Sequence, residues 1–590
     1  MIIRQVAEAF QALEGTTKRL EMSRILASLF RATPKEEVDK LIYILDGRLG
    51  PPYTALDFGV DEKFLIVALA DAARASRSRV EEIYKKKGDL GLAAEELLRG
   101  AGRGLNFREA FEALSRVAEA TGPRAHERKT AIISDLLQRS SGLEARYIVR
   151  ILQGRLRLGV GDAMVMDALS EAVVGDRSVR ADIERAYSIC SDLGLIGRIL
   201  FIDGPRALEQ IRPQVGRPIL SALAERLPTP QVVIDKMGPV QAEPKYDGLR
   251  LQLHKDGDNV RFFTRRLEDV TGMFPELAKA ARQQLKSERA IVDGEALVYN
   301  PETGEYLPFQ ITVRRKRKYG IEEMELRYPL RYFAFDLLYV DDQDLTRKPL
   351  TQRRRQLEAL VQRHVDDPIQ VTEQITTGDP KALERYFVDQ VALGLEGLVV
   401  KKPDSTYQAG QRSFNWVKLK RAYRAELRDT VDLAVVGYLV GKGKRAQFGI
   451  GSLLAAVYDP EHERFRTITK IGSGLTEVEW AEMRRMLDEN RTPTRPPQVD
   501  SLIEPDVWSW PKYVLEVQAD EITRSPRHTC GKTGDEPGYA LRFPRVVTFR
   551  WDKRPEDATT EKEILEMYSM QTATEVEKPR RVAGGRKRAA

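Results

Sequence analysis

Two cysteines, Cys190 and Cys530, are all that this chain of 590 residues carries. That excludes a disulfide framework and any zinc site built on four cysteines; the pair reads as two buried thiols. Asparagine is nearly as scarce, at Asn106, Asn259, Asn300, Asn415 and Asn490, and with 31% charged residues it hints at life at high temperature. Long apolar runs are missing. FLIVALADAA at 64–73 falls well short of the roughly 18 residues a membrane span needs, so no membrane association is expected. The start, MIIRQVAEAFQALEG, lacks the basic, apolar and small-residue segments of a secretory signal. A cytoplasmic, nucleoid-associated protein is the expectation.

Excess charge is also missing from the body of the chain. The net charge is +7, but the stretch from Lys578, KPRRVAGGRKRAA, holds six basic residues and no acidic one, which leaves +1 for the rest. Any polyanion surface must therefore come from clustered cations. The tail reads as disordered, either a solubilising end or an accessory polyanion contact.

What is there is organised in blocks, and the length suggests roughly three or four domains. Residues 1–215 show apolar residues at three- and four-residue spacing almost throughout, the pattern of a helical domain. From 216 to 421 the texture turns to alternating strands. LRLQLHKDGDNVRFFTRR is a hairpin around Asp256-Gly257, and RYFAFDLLYV and LEGLVVKKP read as buried strands with helices between them. This is a mixed α/β domain. Residues 422–572 give short strands with glycine-rich turns, the signature of a small β-barrel, and 573–590 form the basic tail.

Within the second block QAEPKYDGLR places Lys245 and Asp247 beside Gly248 at a strand mouth. A lysine amine attacks only when deprotonated, so a nucleophilic role requires its pKa, near 10.4 when free, to be lowered by burial or nearby cations. No Walker loop is present. Basic residues (Arg250, Arg265, Arg412, Lys418, Lys420) suit phosphate oxygens, and Glu295 and Glu396 at strand ends suit a divalent metal. Taken alone, K-x-D-G is a weak signal, and a charged turn explains it as well.

The ordered series that follows is not weak. EPKYDGLR at 243–250, TRR at 264–266, DGEALVYN at 293–300, YFAFDLLY at 332–339, EGLVVKK at 396–402 and WVKLK at 416–420 resemble the nucleotidyltransferase motifs of ATP-dependent DNA ligases. LRFPRVVTFRWDK at 541–553 resembles the final motif of that series. ERKTAIISDLL and YIVRILQGRLRLGVGDAMVMDALSEA are similar to the DNA-binding domain of the archaeal and eukaryotic replicative type. The resemblance implies a multidomain fold: an all-α DNA-binding domain, an α/β adenylation domain and an OB-fold β-barrel. It implies an enzyme that uses ATP with Mg²⁺ (or Mn²⁺) to seal nicks in double-stranded DNA in replication, repair and recombination.

The resemblance also implies roles. Lys245 is the residue that takes AMP, Glu243 meets the adenine edge, Phe335 stacks on adenine, and Arg250 and Arg265 approach the ribose and phosphates. Glu295 contacts the ribose or a metal, Glu396 the metal, and Arg412, Lys418 and Lys420 the α-phosphate. Arg542, Arg545, Asp552 and Lys553 handle the nucleotide from the barrel. RAYRAELRDT at 421–430 is the expected hinge, with Ala422 standing where an acidic residue is common. Arg146, Arg150, Arg155 and Arg157, beside Gly154, Gly159 and Gly161, suit sequence-independent phosphate contacts. A monomer is expected, with a sliding clamp as a possible partner although no clear clamp motif is present. A capping guanylyltransferase or RNA ligase shares the lysine series but not the helical domain or the RFPR-type ending. The NAD-dependent ligases are excluded by the missing zinc cysteines, and the intact catalytic positions weigh against an inactive nucleic-acid-binding scaffold.

Overall fold

The computed structural model describes residues 1–576 apart from 55, 101–103, 155, 157, 301–305, 308–311, 313–314, 316–324, 326, 363–366, 394, 421–429, 441–448 and 535. The chain divides into two compact units, Met1–Leu419 and Lys420–Ala590. No helix among the described residues is long and apolar enough to cross a membrane.

The first unit begins with a series of α-helices from Ile3–Glu14 to Leu193–Ile202. Each buries one apolar stripe in a shared core that includes Phe10, Phe30, Leu69, Val117, Ile148 and Leu169. Helix starts follow the expected chemistry. Ser141 caps Gly142–Leu152 through a full capping box with Glu144.

Two sheets follow. The strands in order are β1 (Leu223–Arg226), β2 (Val240–Lys245), β3 (Leu249–Asp256), β4 (Asn259–Thr264), β5 (Arg289–Val298), β6 (Leu330–Val340), β7 (Gln343–Asp344), β8 (Ile369–Val371), β9 (Ile375–Thr377), β10 (Gly397–Lys401) and β11 (Arg412–Lys420). One sheet runs β1-β11-β10-β2-β9; the other runs β4-β3-β5-β6-β7 with β8 parallel to β6. The Asp256-Gly257 hairpin joins β3 to β4 as the sequence suggests. Strand alternation divides the side chains. Val240, Ala242, Leu398, Val400, Val417 and Leu419 pack under the first sheet, and Leu249, Leu251, Leu253 and Val292 pack behind the second. Between the two sheets a smaller cluster gathers Ile291, Phe335, Leu338, Val399, Tyr407 and Trp416.

Asp336 of the FAFDLLY run and Arg353 are both fully buried and joined by two parallel hydrogen bonds, 2.7 and 2.8 Å. This pair pins the helix Leu350–Leu360 across β6.

The second unit contains β12 (Thr430–Leu439), β13 (Ser452–Asp459), β14 (Arg464–Ile471), β15 (Arg491–Thr492), β16 (Val499–Asp500), β17 (Val507–Ser509), β18 (Val514–Gln518), β19 (Glu521–Ser525), β20 (Gly538–Arg542) and β21 (Arg545–Phe549). Among the described residues the pairing is an open path, β15-β17-β12-β13-β14-β16, with β18 joining β12 to β21 and a separate β19-β20 hairpin. Helices Glu477–Glu489 and Glu561–Val576 fill out the unit's core with Trp480, Met483, Leu487, Ile564 and Met567.

Candidate active site

Lys245 is the last residue of β2, and alternation sends it and Glu243 to the face opposite Val240 and Ala242. β10 runs antiparallel, with Gly397 opposite Lys245 and Val399 opposite Glu243. Glu396 thus arrives beside the amine. Its backbone amide donates to the Lys245 carbonyl at 3.2 Å, and its carboxylate is ion-paired with Lys245 Nζ. Two motif glycines have the same physical cause. A Cβ at Gly248 would lie 2.4 Å from the Ala296 carbonyl oxygen. One at Gly397, whose φ is +145°, would lie 2.2 Å from the Leu419 carbonyl oxygen.

The electrostatics of Lys245 differ from the sequence-based expectation. Burial pushes the amine down, but the carboxylates of Glu396, Asp247 and Glu295 more than offset it, and the net displacement is upward. Carboxylates, not cations, dominate its surroundings, so with Glu396 in place Lys245 is a paired ammonium.

Glu243 is almost fully buried. Its Oε2 accepts Lys401 Nζ at 2.5 Å, while Oε1 lies 3.6 Å from Arg354 Nη1 and has no hydrogen-bond partner among the described residues. Burial raises this carboxyl, Lys401 and Arg354 pull it back, and the net is upward. Lys401 also sits over the rings of Phe335 (4.8 Å) and Trp416 (4.3 Å). Phe335 is half-buried and meets Trp416 edge-on at 6.0 Å.

Arg250 forks onto the buried Asp293 at 2.6 and 3.2 Å and donates to the Ala222 carbonyl at 2.9 Å. Burial lowers its pKa, but Asp293 more than restores it. Much of its donor capacity is thus engaged within the fold, below the Phe335 ring at 5.3 Å. Glu295 stands opposite Arg250 across β3 and β5 and opposite Phe333 on β6. Arg265 occupies the turn after β4. Arg412, Trp416, Lys418 and Lys420 share one side of β11 by parity, and all but Trp416 are half-exposed.

Arg146 and Arg150 are not an exposed basic face. Both pair with Glu14, Arg146 also with Glu95 at 3.2 Å, and Arg150 with Asp89 at 3.2 Å. Only 7% of the Arg150 side chain is exposed. Helix packing against Ile3–Glu14 and Leu90–Leu97 turns these arginines inward, where they balance carboxylates. Arg155 and Arg157 lie outside the described residues, as does 421–429 of the expected hinge.

In the second unit Arg542 and Arg545 are exposed; Arg542 pairs with Glu521 at 2.7 Å, and Arg545 donates to Gln518 at 3.2 Å. Lys553 is ion-paired with Asp432, and Asp552 accepts a two-pronged contact from Arg550 at 2.8 and 2.9 Å. Asp432 is partly buried; burial alone would raise it, but Lys553 and Arg550 hold it down at about 2. Phe543, between the two exposed arginines, is 65% exposed with φ +51°.

Sequence reasoning overlooked Arg354, Lys401, Asp293, Asp432, Arg550 and Phe543. Lys401, Asp293, Arg550 and Phe543 were inside the quoted motifs; Arg354 and Asp432 had no local signal, because only folding brings them to their partners.

No group of three or more His, Cys, Asp or Glu among the described residues is placed to hold a metal by itself. The carboxylates that bear on Lys245 do fit a hard cation that takes its remaining ligands from water and phosphate, the usual arrangement for Mg²⁺.

Three family models match the chain: one described as ATP dependent DNA ligase domain over residues 221–420, one as DNA ligase N terminus over 3–170, and one as ATP dependent DNA ligase C terminal region over 446–553. A probable DNA ligase of Dictyoglomus thermophilum is 49% identical over 579 residues, covering 98% of this chain and 99% of the relative. The chain belongs to the ATP-dependent DNA ligases. Within the family it is also similar to a DNA ligase of Aeropyrum pernix, 43% identical with 97% and 98% covered, and a probable DNA ligase of Aquifex aeolicus, 42% identical with 97% and 99% covered. A solved mycobacterial DNA ligase D complexed with ATP and MES aligns at 26% identity and TM-score 0.34, covering 58% of this chain and 97% of that one. That score carries no argument, and membership rests on the sequence matches. As a member of this family the chain is an ATP-dependent DNA ligase that closes nicks in DNA.

Proposed function

We propose that Lys245 is the residue through which this ligase transfers AMP. The single observation that supports this most is the meeting of Lys245 and Glu396 at the open ends of two adjacent strands, with Glu243, Lys401 and Phe335 on the same side. The neutral Lys245 amine attacks the α-phosphorus of ATP, and the bond to pyrophosphate breaks, leaving a lysyl-AMP phosphoramidate. A 5′-phosphate oxygen at the nick then displaces the lysine from that phosphorus. Finally the 3′-hydroxyl attacks the activated 5′-phosphate, and AMP leaves.

Each group has a matching task. Glu243 meets the base edge and Phe335 stacks on the base face. Lys418, Lys420 and Arg412 present cations toward phosphate, and Arg265 borders the ribose and the nick. Arg250 and Asp293 form a rigid floor under Phe335. Glu396 and Glu295 would hold Mg²⁺. When bound, Mg²⁺ would neutralise phosphate charge and, by drawing on Glu396, leave the Lys245 amine without its carboxylate partner.

The helices of residues 1–215 act as the all-α DNA-binding part, and the second unit acts as an OB-fold. Arg542, Phe543 and Arg545 there form an exposed cation–aromatic–cation edge suited to a nucleic acid.

The test is incubation with α-labelled ATP and Mg²⁺, with Lys245→Ala beside the wild type. Acid-labile label that pyrophosphate removes, on the wild type only, is the expected result. No label on protein shown not to be pre-adenylated overturns the assignment.

A further inference from the structure

We propose that Arg354 is a positioning residue that makes the nucleotide pocket select adenine over guanine, by supplying charge to Glu243 without occupying its open oxygen. The inference rests on the reading of Glu243 as the group that meets the base edge.

The geometry is unusual for a buried carboxylate. Glu243 Oε2 is capped by Lys401 at 2.5 Å, whereas Oε1 is buried with no hydrogen-bond partner among the described residues. Arg354 Nη1 is also buried and unpartnered there, and it stops 3.6 Å short, beyond hydrogen-bonding distance. It is held at that distance. Its Nε donates to Glu358 at 2.9 Å and its Nη2 donates to the Thr372 carbonyl, so the guanidinium is tied to its own helix and to the segment after β8. The result is an acceptor whose charge is compensated while its lone pairs stay open. An orphaned buried acceptor is costly unless something else supplies the donor. The exocyclic amine of adenine is such a donor.

An ionised carboxylate only accepts hydrogen bonds, whereas a protonated carboxyl also donates. Adenine presents a 6-amino donor where guanine presents a 6-oxo acceptor. Whether Glu243 stays ionised therefore decides which base it suits. Four elements face it: Lys401 from β10 and Arg354 from Leu350–Leu360 favour the charged form, while Asp336 from β6 disfavours it. Tyr386 from Pro380–Ala392 is near enough to feel its charge. Burial already pushes Glu243 upward, so losing Arg354 moves it toward protonation.

The experiment uses full-length wild type, Arg354→Met, Arg354→Lys and Glu243→Gln. Each is incubated with Mg²⁺ and α-labelled ATP or GTP from about pH 5 to about pH 8, and covalent label is read as an ATP:GTP ratio. In the wild type and Arg354→Lys any loss of the preference for ATP should set in at lower pH than in Arg354→Met. Arg354→Met should lose about tenfold or more of that preference at the acid end and recover it at the alkaline end. Glu243→Gln, whose amide can both donate and accept, should discriminate poorly at every pH. An Arg354→Met protein that keeps the wild-type ratio throughout, or loses both nucleotides equally without pH dependence, overturns the proposal and leaves Arg354 a support for the fold. Absence of label from the wild type with either nucleotide overturns the lysyl-AMP reading instead.

Discussion

The Lys245 ammonium and the Glu396 carboxylate are ion-paired where β2 ends and β10 begins, one register step from Gly397. With Glu396 in the metal-holding role proposed above, it would be shared between that ammonium and the ion, and nucleotide binding would have to open the pair. Replacing Glu396 with Gln should reduce covalent label by about 100-fold or more and raise the Mg²⁺ concentration needed for half-maximal label. In the wild type, chelation with EDTA should stop labelling and added Mg²⁺ should restore it. Unchanged labelling and metal demand in Glu396→Gln would remove Glu396 from the site.

Arg150 is a structural cation in this fold. Arg150→Met leaves the buried Asp89 and the partly buried Glu14 with reduced compensation, and should destabilise the first unit by about 3 kcal/mol. Thermal unfolding should show it as a lowered Tm. Nick affinity per folded molecule should stay near wild type; a selective loss of DNA affinity at unchanged Tm would restore Arg150 to the DNA surface.

Gly248→Ala places a Cβ against the Ala296 carbonyl and the Leu297 and Glu295 side chains. Overpacking of this kind costs about 1–3 kcal/mol. The urea midpoint should fall at unchanged m-value, and labelling should slow because β3 must move away from β5. A midpoint equal to wild type would show that the glycine answers a functional need and not a packing one.

Asp432 gives the second unit a defined acid sensitivity. Its carboxyl is held at about 2 against an ordinary 3.8. Its ion pairs therefore stabilise the folded form fully above pH 3.8 and lose that contribution as pH falls through 2, roughly 2 kcal/mol in all. Asp432→Asn should be less stable near neutrality and lose less stability across that acid window. Equal slopes for the two proteins in acid titration monitored by circular dichroism would contradict the ion-pair account.

Phe543→Ala should weaken binding to nicked DNA by about 1–3 kcal/mol while leaving covalent AMP transfer intact. Fluorescence anisotropy with nicked duplex checks the first and label counting the second. Equal losses in both would place Phe543 in the nucleotide site.

The sequence by itself determined the reaction and much of the architecture. The motif series is local, and its order survives in any fold that uses it, so Lys245, Glu243, Phe335 and Glu396 could be named one by one as candidates. Helix periodicity, strand alternation and the Asp256-Gly257 hairpin are likewise short-range consequences of backbone geometry. The tertiary structure decided the electrostatics. Charge interactions depend on distances in space, and nothing local announces that Arg354 will stop 3.6 Å from Glu243. The same holds for Asp432 and Lys553, whose partnership crosses most of the second unit. It holds for Arg146 and Arg150, basic residues in a glycine-flanked run that suggested phosphate contacts, whereas helix packing sets Glu14 against them. Lys245 could be named from the sequence as a candidate nucleophile, but its electrostatic setting could not, because the carboxylates that raise its pKa come from β5, the residue before β10 and the segment after β2.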